Sequence, residues 1–258
     1  MVGSRTHRDD ALESYLRDLV RVENEILALV HRVSPRTVVD VGVGDSTKSL
    51  TKRFTGYLVV VDSDCRKLTS FASEHRGAEA RDLELVCADA ASLPLRSSSI
   101  DLTMMHFVLH EMDPKRHLEV LASAKRVSRR ILVVEPTPSG GEMFVRLWSI
   151  WRNAARAVGG FEEYRPPEYW LQLLEELGMD VIEVKVVSWR TYVPHEVLER
   201  MAASWIEDWK RRGVPEKHIR ELEQFLKDAE NRPLKWSDIV AILASSRDPH
   251  PQSLSEAR

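Results

Sequence analysis

The 258-residue chain is 43% hydrophobic, enough to bury the core of one α/β domain with additional helices. Its net charge of −3 and its pI near 6.3 argue against a protein that coats nucleic acid through bulk positive charge. No apolar stretch approaches the length of a membrane span, and the N-terminal sequence lacks the apolar centre of a signal peptide. We therefore expect a cytoplasmic protein without a membrane partner.

Two cysteines, Cys65 and Cys87, fall in a predicted helix and a predicted strand. Their number and placement predict neither a disulfide framework nor a zinc site, so we expect two reduced thiols. Charged residues make up 30% of the chain, whereas Asn and Gln are rare. This balance favours a thermophilic source.

A β-branched run at residues 38–41 predicts a buried strand that turns sharply into a helix at Gly42 and Gly44. Because glycine lacks a Cβ atom, a ligand can lie against the backbone there. A second apolar run, 58–61, ends at Asp62, which would accept hydrogen bonds from the two hydroxyls of a ribose. The pattern predicts a nucleotide-cofactor site. Turn-forming glycines and an aspartate that caps a helix are the structural alternative.

An acid, Asp40, stands two positions before the first glycine. A carboxylate there would repel the pyrophosphate of a dinucleotide, but it suits a ligand with a cationic end, such as the amino group of a methionine moiety. A dinucleotide fingerprint would also have Gly or Ala three residues after Gly44, and this chain has Thr47. The motif therefore argues against NAD.

Three more predicted strands follow in chain order, at residues 83–90, 101–107 and 131–136. The segment Leu93-Pro94-Leu95 precedes the second of them, and the turn Leu109-His110-Glu111-Met112-Asp113-Pro114 follows it. A single match of this kind is weak evidence. Several elements in a fixed order and spacing are much stronger.

Together with Asp40-x-Gly42-x-Gly44, these segments resemble the class I S-adenosylmethionine-dependent methyltransferases over about residues 15–135. The turn at residues 109–114 is similar to that of the branch acting on small molecules. The third small residue of the family's first motif is Ser46 here, a mild departure. The resemblance implies an α/β fold with a doubly wound, mostly parallel, seven-stranded Rossmann-like sheet, into which helical insertions are placed.

The resemblance also implies S-adenosyl-L-methionine as cofactor and assigns residues to its site. The implied cofactor-binding residues are Asp40, Gly42, Gly44, Asp62, Ser63, Asp89, Ala90 and Met105. The implied catalytic residues, near the methyl group, are His106, His110 and Glu111.

His106 could take a proton from a hydroxyl or amine acceptor, because imidazole titrates near neutrality. A histidine that only forms a local hydrogen bond is the alternative. His106, His110, Glu111 and His117 do not have the spacing of a zinc motif, so we predict no metal.

Beyond residue 136 the chain predicts two helical insertions, at about 139–165 and at 191–233. The predicted helices span 142–158, 169–177, 194–212 and 215–230, and the predicted strands 181–189 and 237–244, the last antiparallel. An apolar stripe on the second insertion contains Val197, Met201, Trp205 and Trp209. It predicts a lid over the acceptor, with a homodimer surface and plain packing as the alternatives.

The predicted organisation is a core domain of residues 11–190 and 234–247, with flexible tails at 1–10 and 248–258. The expected reaction is methyl transfer by in-line displacement to a small-molecule acceptor. An RNA or protein acceptor, or a regulatory protein that binds the cofactor without turnover, are the open alternatives. Nucleic acid is not the expected partner, because the basic residues at 125–130 and 210–212 complement helix C-termini.

Overall fold

A computed structural model describes residues 3–74 and 82–247. In this part of the chain the strands are β1 (Thr37–Val41), β2 (Tyr57–Asp62), β3 (Leu83–Cys87), β4 (Ile100–His106), β5 (Ser128–Pro136), β6 (Met179–Val187) and β7 (Ile239–Ser246). The helices are α1 (Gly3–Val33), α2 (Asp45–Arg53), α3 (Cys65–Glu74), α4 (His117–Val127), α5 (Glu142–Ala157), α6 (Pro167–Glu176), α7 (His195–Arg212) and α8 (Glu216–Ala229).

The strands form one seven-stranded sheet in the order β3-β2-β1-β4-β5-β7-β6. Neighbours among β1 to β5 pair in parallel, and β7 runs antiparallel to both β5 and β6. The predicted doubly wound, mostly parallel sheet with helical insertions is therefore confirmed. The strand order reverses between β1 and β4, and ligands of such sheets bind outside the carboxyl ends of the strands at this position.

The central strands are apolar on both faces because helices cover both sides of the sheet. Val38 and Val39 are fully buried and belong to different cores. Val38 packs in the core that includes residues of α1, α5, α7 and α8, whereas Val39 packs in the core that includes α4 and α6. Asp40, also fully buried, is the charged exception in β1.

Helix α1 begins at Gly3, so most of the segment expected as an N-terminal tail is helical. The chain has neither proline nor glycine from residue 4 to residue 34, a run that favours a long helix. Asp18 of α1 is buried and accepts hydrogen bonds from the backbone N–H groups of Arg190 (2.6 Å) and Thr191 (3.0 Å). The helix is thereby attached to the segment that follows β6. The expected tail at residues 248–258 lies outside the described residues.

The second insertion consists of α7 and α8, close to the predicted bounds. Gly213 lies between them in a left-handed conformation (φ 74°), which glycine adopts without strain and which ends α7. Helix α8 packs against α5 and α7. The two ends of the insertion meet where the N–H of Val193 donates to the carbonyl oxygen of Leu234 (2.8 Å).

Cys65 and Cys87 form a disulfide, with their Cα atoms 5.2 Å apart. The expectation of two reduced thiols was therefore wrong. Parallel pairing of β2 with β3 sets Asp62 beside Cys87, and α3 begins three residues after Asp62. This sheet neighbourhood brings the two cysteines together, although they are 22 positions apart in the sequence.

None of the helices in the described ranges combines the length and the apolar character that a bilayer crossing requires.

Candidate active site

A cavity of about 1110 Å³ opens at the carboxyl ends of the central strands. The glycine loop, Asp62 and His106 line one part of it, and Trp151 and Trp205 line another. Sites for one small molecule usually measure about 300–1,000 Å³. This cavity is therefore large enough for a cofactor and a second molecule.

The two glycines of the loop are required for different reasons. Gly42 has φ 88°, and a Cβ atom there would lie 2.9 Å from Cγ2 of Val108, so both backbone and packing require glycine. A Cβ atom on Gly44 would meet only the hydroxyl oxygen of Ser46, at 4.0 Å. Thr47 fixes the loop, since its hydroxyl donates to Gly42 O (3.2 Å) and accepts from the N–H of Gly44 (3.1 Å).

Asp62, at the end of β2, lines the cavity together with Ser63. Its Oδ2 accepts from the N–H of Val43 (2.9 Å), and its Oδ1 accepts from the N–H of Asp64 (2.8 Å). Asp62 therefore holds the glycine loop and the start of the next segment. Each carboxylate oxygen has a second acceptor position, so the side chain can also accept from a ligand hydroxyl.

Asp40 lies behind the glycine loop and does not line the cavity. Its side chain is fully buried, and neither carboxylate oxygen has a hydrogen bond of ordinary geometry among the described residues. Burial raises the pKa of Asp40 to about 7, and the nearby hydroxyl of Thr47 opposes part of this shift. This placement does not support the predicted direct contact with a cationic ligand, and at pH 7 the side chain is only partly ionised.

Asp89 and Ala90 line the cavity, and an Asp89–Arg116 ion pair of 2.7 Å is present at this end. Asp89 Oδ1 also accepts from the N–H of Ala91 (3.0 Å), and these two bonds lower the pKa of Asp89. Asp89 therefore caps the short helical turn at Ala90–Ser92 as well as facing the cavity.

Met105, expected beside the cofactor, does not line the cavity. It is fully buried in the core that contains Val39, on the other face of the sheet. Met104 lines the cavity instead, because successive side chains of a strand point to opposite faces. A contact between Met105 and the cofactor stays a prediction, and the position of this side chain on the other face of the sheet does not support it.

His106, the last residue of β4, lines the cavity. Burial lowers the pKa of His106 to about 4, so its imidazole is neutral at pH 7. A neutral imidazole can accept a hydrogen bond from a hydroxyl or an amine. The structure thus brings His106 into the site in the form that a proton acceptor requires.

His110 is buried at the cavity wall, and its Nδ1 lies 2.6 Å from Oε2 of Glu135. Burial disfavours the charged imidazole, but the carboxylate of Glu135 outweighs it and raises the pKa of His110 to about 9. At neutral pH His110 is therefore a cation that donates to Glu135. It cannot accept a proton in this state.

Glu135 lies behind the cavity wall and is one of several residues at the site that the sequence did not single out. It is fully buried near the end of β5 and accepts from the N–H groups of Val108 (3.0 Å) and Leu109 (2.7 Å). The available signal was an acid that directly follows an apolar strand and precedes Pro136. Glu135 fixes the turn after β4 from the neighbouring strand.

Phe107, between the two histidines, has φ 57°, a conformation that a bulky side chain adopts only under strain. Its ring contacts those of His106 and His110 edge to face, with centroids 4.6 and 6.3 Å away. The backbone bonds to Glu135 directly after it hold this turn in place. Such strain is concentrated at functional sites, which agrees with the position of Phe107 on the cavity wall.

His110, Glu111 and Glu162 place one nitrogen and two carboxylate oxygens within 4.8 Å of one another. His117, which the sequence grouped with them, lies elsewhere and bonds Leu109 O (2.8 Å) and the hydroxyl of Tyr169 (3.0 Å). A metal ion would have to displace a proton from His110, whose pKa is high. The absence of a metal stays a prediction.

The far wall of the cavity comes from α1, from both insertions and from the residues that flank the second insertion, and it is largely aromatic. The rings that line it are Tyr15, Phe144, Trp151, Phe161, Tyr164, Trp189, Trp205, Trp209 and Trp236. Trp151 and Trp205 meet edge to face at 4.7 Å, so the two insertions contact each other here. The contribution of α1 was not predicted, because its apolar stripe looks the same whether it faces a core or a cavity.

Residues 39–131 match a family model described as a methyltransferase domain. Proteins with curated functions show no sequence match. Similar solved structures include the YcgJ protein of Bacillus subtilis, with 15% identity over 87% of this chain and 99% of that one, and a TM-score of 0.59. A SAM-dependent methyltransferase of Archaeoglobus fulgidus has 18% identity over 87% and 93%, with a TM-score of 0.52. The [4+2]-cyclase SpnF has 15% identity over 87% and 80%, with a TM-score of 0.57.

At these identities, the similarity of the structures establishes the fold. Within that fold, residues 39–131 are similar to a methyltransferase domain, and the fold is the one seen in S-adenosylmethionine-dependent methyltransferases such as the Archaeoglobus fulgidus protein.

Proposed function

We propose that this protein binds S-adenosylmethionine and transfers its methyl group to a small-molecule acceptor. The observation that carries the proposal is that one cavity joins the glycine loop, His106 and the aromatic wall of the insertions. A cofactor at the loop and an acceptor at the aromatic wall would then meet beside His106.

The residues at the loop end fit this cofactor. The open space in front of Gly44 admits the methionine part against the backbone, and Asp62 retains acceptor positions for the ribose hydroxyls. Asp89, at the next strand end, faces the place of the adenine amino group. Buried Asp40, whose pKa is about 7, is only partly ionised at neutral pH, and a cationic amino end of methionine nearby would favour its ionised form, whereas a pyrophosphate would not.

When bound, S-adenosylmethionine supplies an electrophilic methyl group on a positively charged sulfur. The protein has to orient the acceptor and exclude water. Neutral His106 accepts a hydrogen bond from a hydroxyl or amine acceptor, and the protonated His110 with Glu135 holds the turn beside it. The rings of the insertions provide an apolar wall for the acceptor.

The second candidate function is binding of the cofactor without methyl transfer, or catalysis of a different reaction. The observation that favours it is the [4+2]-cyclase among the similar structures, which shows that this fold supports other chemistry. An RNA acceptor is less well supported, because Glu111 and Glu162 line the cavity and would repel phosphate, whereas a protein acceptor remains an open alternative.

Calorimetric titration tests the cofactor. We expect S-adenosylmethionine and S-adenosylhomocysteine to bind in the micromolar range and NAD not to bind; NAD binding with comparable affinity would contradict the proposal.

Asp62→Ala should weaken cofactor binding by about 1–3 kcal/mol through lost charge-assisted hydrogen bonds. An unchanged dissociation constant would mean that Asp62 only holds the backbone of the glycine loop and of the segment after β2.

Single-turnover reactions with methyl-labelled cofactor and a panel of aromatic amines and phenols separate catalysis from binding alone.

A further inference from the structure

We propose that the acceptor is an amine, positively charged at neutral pH in solution, on a body that contains an aromatic ring, and that Glu111 and Glu162 bind its ammonium group. One ammonium proton then passes to one of these carboxylates, which frees the nitrogen electron pair for methylation. This inference rests on the proposed methyltransferase function, because the two carboxylates line the same cavity as the glycine loop.

One cation, protonated His110, is shared among three carboxylates at this side of the cavity, those of Glu135, Glu162 and Glu111. Of the cations that line this side, Arg212 pairs with Asp208 (3.5 Å) and His110 pairs with Glu135 (2.6 Å). Among the described residues, no lysine or arginine forms an ion pair with Glu111 or Glu162. The acceptor side therefore carries an excess of negative charge.

Glu162 has polar neighbours in the hydroxyl of Tyr164 and the ring of His110, and neither is a lysine or an arginine. Its side chain is 16% exposed, and the nearest charged nitrogen, Nε2 of His110, is 3.8 Å away and belongs to a ring already bonded to Glu135. Burial raises the pKa of Glu162. A carboxylate in this position is stabilised when a cation enters the cavity, because its loss of hydration is then compensated.

Aromatic rings stand beside the carboxylates. The rings of Phe107 and Tyr164 contact that of His110, with centroids 6.3 and 5.3 Å away, and Phe144 stacks on Tyr164 at 6.0 Å. Ring faces attract cations, typically by about 0.5–2 kcal/mol. Rings and carboxylates together match an organic ammonium group better than a free inorganic cation.

Other acceptor classes fit less well. An acidic acceptor, such as a carboxylate or a phenolate, would meet two like charges. A neutral alcohol would leave the carboxylates unpaired. Trp151 and Trp205, farther along the wall, offer apolar surface to the remainder of the acceptor, which is why we specify a ring-bearing body.

The test compares ligands that differ only in charge, on protein saturated with S-adenosylhomocysteine at pH 7.5. The probes are tryptamine, tryptophol and indole-3-propionate, with benzylamine, benzyl alcohol and benzoate as a smaller series. We expect the amine of at least one series to bind at least about tenfold more tightly than its alcohol, and the anion not to bind measurably.

Matched variants assign the effect to the subsite. Glu162→Gln should weaken amine binding about tenfold and leave alcohol binding unchanged, because it removes charge but not shape. Glu163→Gln is the control: this neighbour pairs with Arg156 and does not line the cavity, so both affinities should stay the same. Retained binding of S-adenosylhomocysteine shows that each variant is folded.

The outcomes separate the two proposals. Failure of the wild type to bind S-adenosylhomocysteine contradicts the proposed function. Normal binding of that molecule, with no preference for the amine in either series, overturns the amine subsite alone. In the remaining alternative, Glu111 and Glu162 interact only with the positively charged sulfur of S-adenosylmethionine and not with the acceptor. In that case Glu162→Gln would weaken S-adenosylmethionine relative to S-adenosylhomocysteine without altering amine binding, which also overturns the subsite.

Discussion

Gly42 and Gly44 lie two positions apart in one loop, and only at Gly42 do neighbouring protein atoms and the backbone conformation require glycine. A side chain at Gly42 would collide with Val108 and would have to adopt a left-handed backbone. A side chain at Gly44 would enter the cavity. The conformational freedom of glycine thus supports the fold at one position, and its small size supports ligand binding at the other.

We therefore expect Gly44→Val to keep the folded state and abolish cofactor binding, since valine fills ligand space. Gly42→Val should instead lower the free energy of unfolding by about 1–3 kcal/mol or more through strain and overlap. Melting curves and calorimetric titration of both variants check this. Loss of the cooperative melting transition in Gly44→Val would mean that Gly44 serves only as a turn former.

The pair of His110 and Glu135 gives the protein a defined pH response. The pKa of His110 is raised to about 9 in the folded state, above the ordinary value of 6.5. The stabilisation from this pair is therefore fully present below pH 6.5 and is lost as the pH rises through about 9.

Glu135→Gln should lower the pKa of His110, because it removes the largest opposing influence and leaves burial against the weaker effects of Glu162 and Glu111. NMR titration of the histidine ring measures the pKa directly. In melting experiments between pH 6.5 and 9, the wild type should lose more stability than the variant. Equal pH slopes for the two proteins would refute the assignment.

Helix α7 belongs to the insertion for which the sequence left three roles open: a lid over the acceptor, a dimer surface, and packing against the core. The structure places Trp205 and Trp209 on the cavity that also contains the glycine loop and His106. Closure of this helix over an acceptor stays a prediction, and its position on the carboxyl side of the sheet supports it.

Trp205→Ala should raise the KM for the acceptor or lower turnover, with little change in cofactor affinity, because the loop end of the cavity is built from β1 to β3. Ile206→Ala is a matched control, since the neighbouring side chain is partly buried and does not line the cavity. A changed sedimentation coefficient would favour a dimer surface. Loss of stability of about 3–5 kcal/mol with unchanged kinetics would indicate packing only.

The disulfide joins the start of α3 to the end of β3, next to two cavity-lining strand ends. For a sequence separation of 22, loop-entropy arguments give a stabilisation of about 3 kcal/mol. Cys65→Ser with Cys87→Ser should lower the free energy of unfolding in urea by about this amount. Addition of a reductant should destabilise the wild type and leave the double variant unaffected; an equal response of both proteins would argue against the bond.

For the molecule as a whole, local pattern predicted the individual strands, whereas their arrangement in one seven-stranded sheet was implied by the family resemblance. Runs of valine, isoleucine and leucine predicted the parallel strands because such strands are buried on both faces. Strand ends were less accurate: β5 begins at Ser128 rather than at 131, since polar residues at its start pair with β4 without being apolar. The edge strand β6 begins at Met179 rather than at 181.

The cofactor loop was predicted from short-range spacing, but long-range pairs were not. Glu135 with His110, Asp18 with Thr191, and the two cysteines are each brought together by the order of strands in the sheet or by the packing of α1. Nothing within a sequence window specifies such a pair. Side chains alternate between the two faces of a strand, which is why Met104 lines the cavity and the next residue, Met105, faces the other side of the sheet.

The second insertion leaves the core at Val193 and returns at Leu234, and a backbone hydrogen bond joins these two positions. A segment whose ends meet at one bridge can be exchanged for another without altering the register of any strand. In an evolving lineage, or in a designed chimera, the acceptor wall could then diversify while the cofactor loop is inherited unchanged.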